Sequence, residues 1–463
     1  MNSVAPNDKG RPASLRLWGT VVGSDGASVR VAGLAGIAQL GDLFEIEAGG
    51  DQISGEVIAV QDKEVQVQLC AGATGLAVGQ RAWLSEAVSY PPSDEWLGHV
   101  IDAFGCGPDG EAIGDPYRPP IRHAQPRGDA RRPLGARLTT GLAALDTFLP
   151  LCRGQRLGVF AGSGVGKSRL MSDLALGVAA DVVVVGMIGE RSREVGDFVR
   201  LLRTSGGMDR AVVITATSDQ PALTKRRAAR LTLSTAEHFR EQGLHVLCLL
   251  DSVTRFAEAH REIALAAGEP PALRAFPPST VQAISALCER AGPGATDDRG
   301  GDITAVFTVL VAGSDFDEPV ADMVRGVLDG HVLLDREIAE RGRFPAIDLR
   351  RSVSRSAPAA WSMDEEALVG HARRLIATYE EAAPMIQAGL YTPGADAVLD
   401  EAVERWRALD DFIGSTTRGQ SDLDNFAALS EILEMPLDPR SEDFKDPAPA
   451  GTEVALPDLA DAD

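Results

Sequence analysis

Residues Gly158–Leu170 read GVFAGSGVGKSRL: the end of an apolar strand run, a glycine-rich turn, and a helix start near Lys167. Backbone N–H groups in such a turn converge on phosphate oxygens, and the helix N-terminus adds a favourable dipole. Gly162, Gly164 and Gly166 have no side chains to obstruct that approach. Lys167 is expected to contact the terminal phosphates, and the Ser168 hydroxyl to ligate magnesium. Ala161, Gly162, Ser163, Gly164, Val165, Gly166, Lys167, Ser168 and Arg169 thus form the expected nucleotide loop, with ATP and Mg2+ as its ligands. Ala161 stands where the general pattern has glycine, and Arg169 where a small residue often follows. The flanking strand and helix argue against a chance glycine turn.

Two further apolar runs end in carboxylates. HVLCLL leads into Asp251, and in phosphate-loop folds a carboxylate at such a strand end meets the magnesium shell opposite the serine hydroxyl. VVVVGMIG leads into Glu190, followed by Arg191, Arg193 and Glu194. Hydrolysis needs a group that orients and polarises the attacking water, and a strand's C-terminal end places a carboxylate well for it. A surface charge cluster is the competing reading of these residues.

Outward from the loop, strand-like runs (GQRLGVFAG, DVVVVGMIGE, AVVITAT, HVLCLLDS, ITAVFTVLV) alternate with helical segments such as Ser168–Ala179 and Leu223–Gln242. That alternation predicts a mostly parallel sheet covered by helices. Before it, short alternating runs such as LRLWGTVV, SVRVAGL and EVQVQL, with frequent turns, predict a small antiparallel barrel. A Pro/Gly/Arg-rich stretch from Pro91 to Pro133 reads as a linker with solvated arginines. After Trp361, Leu368, Ala372, Leu375, Ile376 and Tyr379 share one helical face, as do Leu399, Val403, Trp406 and Ile413, predicting a small helical domain.

The expected class is therefore α/β, a RecA-like P-loop NTPase core with a mostly parallel sheet, an N-terminal β-barrel and a C-terminal helical domain. Expected boundaries are a flexible segment over 1–14, the barrel over 15–90, the ATPase domain over 91–358 with a linker at 115–137, the helical domain over 359–435, and an acidic disordered tail over 436–463.

The 463 residues carry a formal charge of -22, with 44% hydrophobic and 24% charged residues. This is globular composition, and its acidity disfavours nucleic acid or an anionic membrane as a partner of the overall field. The five scattered cysteines are not spaced as a metal clip and read as reduced thiols. The first residues, MNSVAPNDKGRP, lack the apolar core of a signal peptide, and the longest apolar runs are too short to span a bilayer. A cytoplasmic protein, recruited to the inner face of the membrane through partners, is expected.

AGSGVGKS, IGERSREV, LLDSVTRFAEAHREIALAAGEPP and FPAIDLRRSVSR, in that order, resemble the rotary-type ATPase family related to the F-type ATP synthase catalytic subunit. The resemblance implies roles residue by residue. Glu190 looks like the base that polarises water, Arg191 like a neighbour coupling nucleotide to the subunit boundary, and Arg255 like a phosphate-side arginine. Arg355 looks like an arginine finger acting on ATP held by the adjacent subunit. Phe344 resembles an aromatic that packs on adenine, with Tyr391 as a second adenine neighbour. A chain with both halves of an inter-subunit site implies a homo-oligomeric ring, a hexamer in this family.

Within the family, the alanine at the head of the loop and DEPVADMVRGVLDGHVLLDREIAERGRFPAID resemble the ATPases of type III protein export, and the flagellar branch in particular. That resemblance implies an ATP-hydrolysing, protein-secreting enzyme. Its implied partners are an export regulator, stalk proteins, export chaperone–cargo complexes and a membrane export gate. A virulence injectisome ATPase and an ATP synthase subunit are the nearer alternatives. A hexameric RNA translocase is the remote one, disfavoured by the acidity and the lack of an aromatic stacking strand.

Overall fold

The structure, a computed structural model, describes residues 17–70, 72, 74–85, 91–114, 130–272, 275–295, 300–311, 318–417 and 421–437. The expected segment 1–14, residues 115–129 of the linker and the tail from 438 onward lie outside the described residues. The chain forms two compact units.

One unit takes the described residues of Met1–Ser89 with Gln220–Arg226 and Glu258–Pro277. Its centre is a closed antiparallel barrel of β1 (Trp18–Ser24), β2 (Ser28–Ala32), β3 (Leu43–Ala48), β4 (Asp51–Val60), β5 (Glu64–Leu69) and β6 (Arg81–Ser85), in the order β1-β2-β5-β4-β3-β6. The alternating pattern turns Val21, Val29, Val31, Phe44, Ile46, Val65 and Val67 into the barrel interior. Closure leaves the strands no free edge.

The other unit takes the described residues of Tyr90–Asp219, Arg227–Ala257 and Pro278–Asp463. Its strands are β7 (Val100–Ile101), β8 (Arg137–Leu138), β9 (Leu151–Cys152), β10 (Arg156–Ala161), β11 (Val182–Ile188), β12 (Ala211–Ala216), β13 (His245–Asp251), β14 (Asp302–Leu310), β15 (Gly330–Leu334) and β16 (Val353–Ser354). Eight of them make one sheet in the order β16-β15-β10-β14-β13-β11-β12-β7. All neighbours in it are parallel except β15 and β16. Every residue of β11 and β13 is buried, as an apolar strand covered on both faces requires. The sheet is interleaved with α1 (Ala143–Thr147), α2 (Lys167–Gly177), α3 (Ser192–Thr204), α4 (Ala222–Glu241), α5 (Val253–Ala266), α6 (Ser279–Cys288), α7 (Pro319–Val327) and α8 (Arg336–Glu340).

A short α9 (Ala357–Ala360) leads to α10 (Met363–Gln387), α11 (Ala397–Ile413) and α12 (Asp422–Leu433). A Ser362/Glu365 capping box starts α10. Leu368, Leu375, Ile413 and Phe426 join Phe148, Leu174 and Leu249 in one apolar core. Arg137 ties these helices down: it reaches Glu365 at 3.1 Å and Asp422 at 2.5 Å, and its guanidinium lies 4.8 Å over the Phe426 ring.

The stretch from Pro91 holds more structure than its composition implies. Trp96 is fully buried and its indole N–H donates to the Ile113 carbonyl at 2.6 Å, while β7 extends the sheet beside β12. Arg131 donates to the Ala291 and Glu289 carbonyls, and Arg132 to the Gly300 carbonyl and Asp302. These arginines satisfy loop carbonyls that would otherwise lack donors, so solvation is not their state. No helix among the described residues is long and apolar enough to cross a membrane, and the five cysteines are all free.

Candidate active site

The phosphate loop runs from the end of β10 into α2. Buried Val165 pins its middle to the core, while Ser163, Gly164 and Ser168 are exposed. Gly166, the residue before α2, has φ +94°, and a Cβ there would sit 3.0 Å from the Phe344 ring. Only glycine meets both demands. Phe344 therefore lies against the loop, and the Arg169 guanidinium is 5.9 Å from the same ring's centroid.

Lys167 opens α2 and turns inward. Its Nζ donates to Glu190 Oε1 at 2.8 Å and to Asp251 Oδ1 at 2.5 Å, and all three side chains are buried. The sheet order explains the meeting. β14 separates β10 from β13, and β11 flanks β13 on its far side, so three strand ends open onto one crevice at their carboxyl side. Burial by itself pulls the Lys167 ammonium down, yet Asp251 and then Glu190 outweigh it and raise its pKa above the ordinary lysine value. Burial raises the Asp251 carboxyl; Lys167 opposes this and Glu190 adds to it.

With both carboxylates ionised the trio carries one net negative charge, so the site accommodates an added cation. The Ser168 hydroxyl is exposed and makes no hydrogen bond among the described residues. A hard oxygen donor set of serine hydroxyl and carboxylate, in a site of net negative charge, fits magnesium.

Gly189, with φ +73°, precedes Glu190, and a Cβ there would fall 2.7 Å from Arg255 Cγ. The Arg255 stem thus packs on the backbone that presents Glu190. Arg191 starts α3 on the surface, paired with Glu194 at 3.1 Å. Arg355 is exposed just past the edge strand β16; its backbone N–H donates to the Asp329 carbonyl, and its guanidinium makes no ion pair among the described residues. Tyr391 lies between α10 and α11, and its hydroxyl donates to Asp400 at 2.6 Å.

One residue that the sequence reading passed over joins the cluster. Thr308 of β14 is fully buried, and its hydroxyl donates to Asp251 Oδ1 at 2.6 Å. Its signal was a hydroxyl inside the apolar run AVFTVLV, since a buried hydroxyl needs a partner.

Lysine and two carboxylates at the mouth of a phosphate loop can hold a nucleotide's terminal phosphates beside a group able to take a proton from water. Comparisons with known proteins agree. Residues 141–354 match the ATP synthase alpha/beta family, nucleotide-binding domain, and residues 361–429 match the T3SS EscN ATPase C-terminal domain. The "Flagellum-specific ATP synthase" of Caulobacter vibrioides is 42% identical over 433 residues, covering 91% of this chain and 96% of that protein. The assembled ATPase EscN of the enteropathogenic E. coli type III secretion system superposes with a TM-score of 0.82 at 34% identity, covering 90% of this chain and all of that one. EscN in complex with its central stalk EscO gives 0.79 at 35% identity, over 90% of this chain and 100% of that chain. The chain belongs to the ATP synthase alpha/beta family, in its group of flagellum-specific and type III secretion ATPases, and is an ATP-hydrolysing enzyme.

Proposed function

We propose that the chain is the catalytic subunit of a homohexameric ring in which magnesium-dependent ATP hydrolysis drives type III export of flagellar proteins. The observation that carries the hydrolytic half is the buried contact of Lys167 with Glu190 and Asp251 beside the loop.

The amides of the loop and of the first turn of α2 hold the phosphates, and Lys167 moves from its two carboxylates onto the terminal phosphate oxygens. That movement uncovers Glu190, which orients the attacking water and accepts its proton. Ser168 and Asp251 would hold magnesium, which when bound would supply positive charge to the phosphate oxygens. Phe344 packs on the adenine, with Arg169 beside it, and Arg255 keeps the Glu190 backbone in place. Tyr391 is the second neighbour of the base in this reading. Arg355 completes the site of the next subunit; its exposed guanidinium, without an ion pair among the described residues, supports this, as does the assembled state of EscN. Arg191 sits at the same boundary.

The flagellar assignment is favoured by a narrow margin: the Caulobacter protein is 42% identical, and the "Type 3 secretion system ATPase" of Xanthomonas euvesicatoria 39%. A stalk protein is among the partners in this reading, supported by the complex of EscN with its central stalk EscO. An export regulator, chaperone–cargo complexes and the export gate complete the partners, and they would recruit the ring from the cytoplasm to the membrane.

The deciding experiment is Glu190→Gln. ATP binding is expected to persist while hydrolysis falls by at least about a hundredfold, the scale of a lost acid/base group. Near-normal turnover removes Glu190 from this role. Loss of flagellar protein export in a deletion strain, with other secretion intact, tests the cargo assignment.

A further inference from the structure

In this fold β14 is inserted between the strand that leads into the phosphate loop and the strand that ends in Asp251. On one side Thr308 is level with Val159 of β10; on the other, the Leu250–Phe307 pairing brings it beside Asp251. Its hydroxyl has a single proton and two acceptors in reach, Asp251 Oδ1 at 2.6 Å and the Leu250 carbonyl at 3.4 Å. The shorter, charge-assisted bond takes the proton. Asp251 Oδ1 also receives Lys167 at 2.5 Å, so one oxygen is held from two directions, while Oδ2 makes no hydrogen bond among the described residues. Two donors on one oxygen fix the rotation of a carboxylate that a single, mobile lysine would leave free once nucleotide draws the lysine away. Valine would fill the same space in a buried strand without a polar group to satisfy. Thr304, four residues earlier on β14, is equally buried but makes its bonds elsewhere: its hydroxyl accepts from Gly154 N–H and pairs with His245.

We propose that Thr308 is a positioning residue for the reaction, its hydroxyl holding Oδ1 of Asp251 in place so that Oδ2 is presented to magnesium. This rests on the reading of Asp251 as the metal-side carboxylate. When Lys167 leaves for the phosphates, Thr308 remains as the bond that keeps the carboxylate oriented.

The test measures how far magnesium tightens binding of a fluorescent ADP analogue to the full chain, alongside the magnesium dependence of turnover. In Thr308→Val the tightening is expected to shrink about tenfold, the scale of one hydrogen bond to a charged group, with affinity in the presence of a chelator unchanged. Thr308→Ser is expected to restore it. A Thr308→Val protein with the wild-type magnesium effect overturns the proposal. Should valine prevent folding, Thr308→Ser and Thr308→Ala differ in the hydroxyl alone, and equal magnesium effects in those two overturn it as well. Asp251→Asn separates the two layers. If it leaves the magnesium effect intact, the reading of Asp251 falls; if it abolishes the effect while Thr308→Val does not, only the role of Thr308 falls.

Discussion

Glu190 reaches Lys167 because the residue before it can bend the chain where no side chain fits. Gly189 combines φ +73° with the Arg255 stem packed 2.7 Å from where a Cβ would stand, and that neighbour is the near end of a side chain, not a flexible tip. Gly189→Ala is therefore expected to cost about 1–3 kcal/mol of stability through backbone strain alone. It should also lower turnover by displacing Glu190, and thermal melting with an ATPase assay checks both. Unchanged melting and unchanged turnover together would show that the turn tolerates a side chain. The two carboxylates of the site were legible in the sequence because each follows a run of apolar residues that suits a buried strand, and Lys167 because it closes a glycine-rich turn. Thr308 was not, because its role exists only once β13 and β14 are paired, and no local spacing announces a lateral neighbour. Phe344 lies far from the loop in the chain, and only the family likeness pointed to it; its ring against Gly166 is a property of the fold.

At the scale of elements, Arg137, on β8 of a separate two-stranded sheet with β9, binds α10 and α12 to the strand pair that precedes the phosphate loop in the chain. The side chain is 3% exposed and faces Glu365, which is 1% exposed, and Asp422. Glu365 carries a second duty, accepting the Ser362 N–H that starts α10. Removing the arginine leaves a buried carboxylate without its cation, a change that typically costs about 3–5 kcal/mol. Arg137→Ala is expected to lower stability on that scale and to release α10 and α12 first in hydrogen exchange. Arg137→Lys should recover only part, since an ammonium lacks the planar fork by which the guanidinium puts two nitrogens on each of Glu365 and Asp422. Uniform exchange throughout this unit would show instead that the contact stabilises no particular element. The strands of the sheet and the barrel were readable from period and burial pattern. The described parts of the stretch Pro91–Pro133 were not, because Trp96 is tied down by the Ile113 carbonyl and Arg131 and Arg132 find partners far along the chain, whereas composition reports only local preference. Arginine in a proline-rich run looks solvated until the carbonyls it caps are known.

For the whole molecule, the decisive matter is whether one chain holds a complete catalytic site. The crevice contains a lysine, two carboxylates and a serine hydroxyl, while Arg355 is exposed beyond the edge strand β16, next to the 46% exposed Val353. An exposed guanidinium with no ion pair among the described residues, beside an exposed apolar residue, suits a head-to-tail boundary, and such boundaries give rings when the rotation closes. Arg355→Ala is expected to lower hydrolysis by the assembled ring by about a thousandfold while leaving nucleotide affinity of the isolated chain unchanged. Mixing two disabled proteins makes the test sharper. An Arg355→Ala subunit keeps Glu190, and a Glu190→Gln subunit keeps Arg355. In a ring assembled from equal parts, a boundary is intact when the first kind holds ATP and the second kind adjoins it. Random assembly of a head-to-tail ring makes about one boundary in four intact, so activity near that fraction should return. If the arginine acted within its own chain, every subunit would lack one of the two groups and mixing would restore nothing.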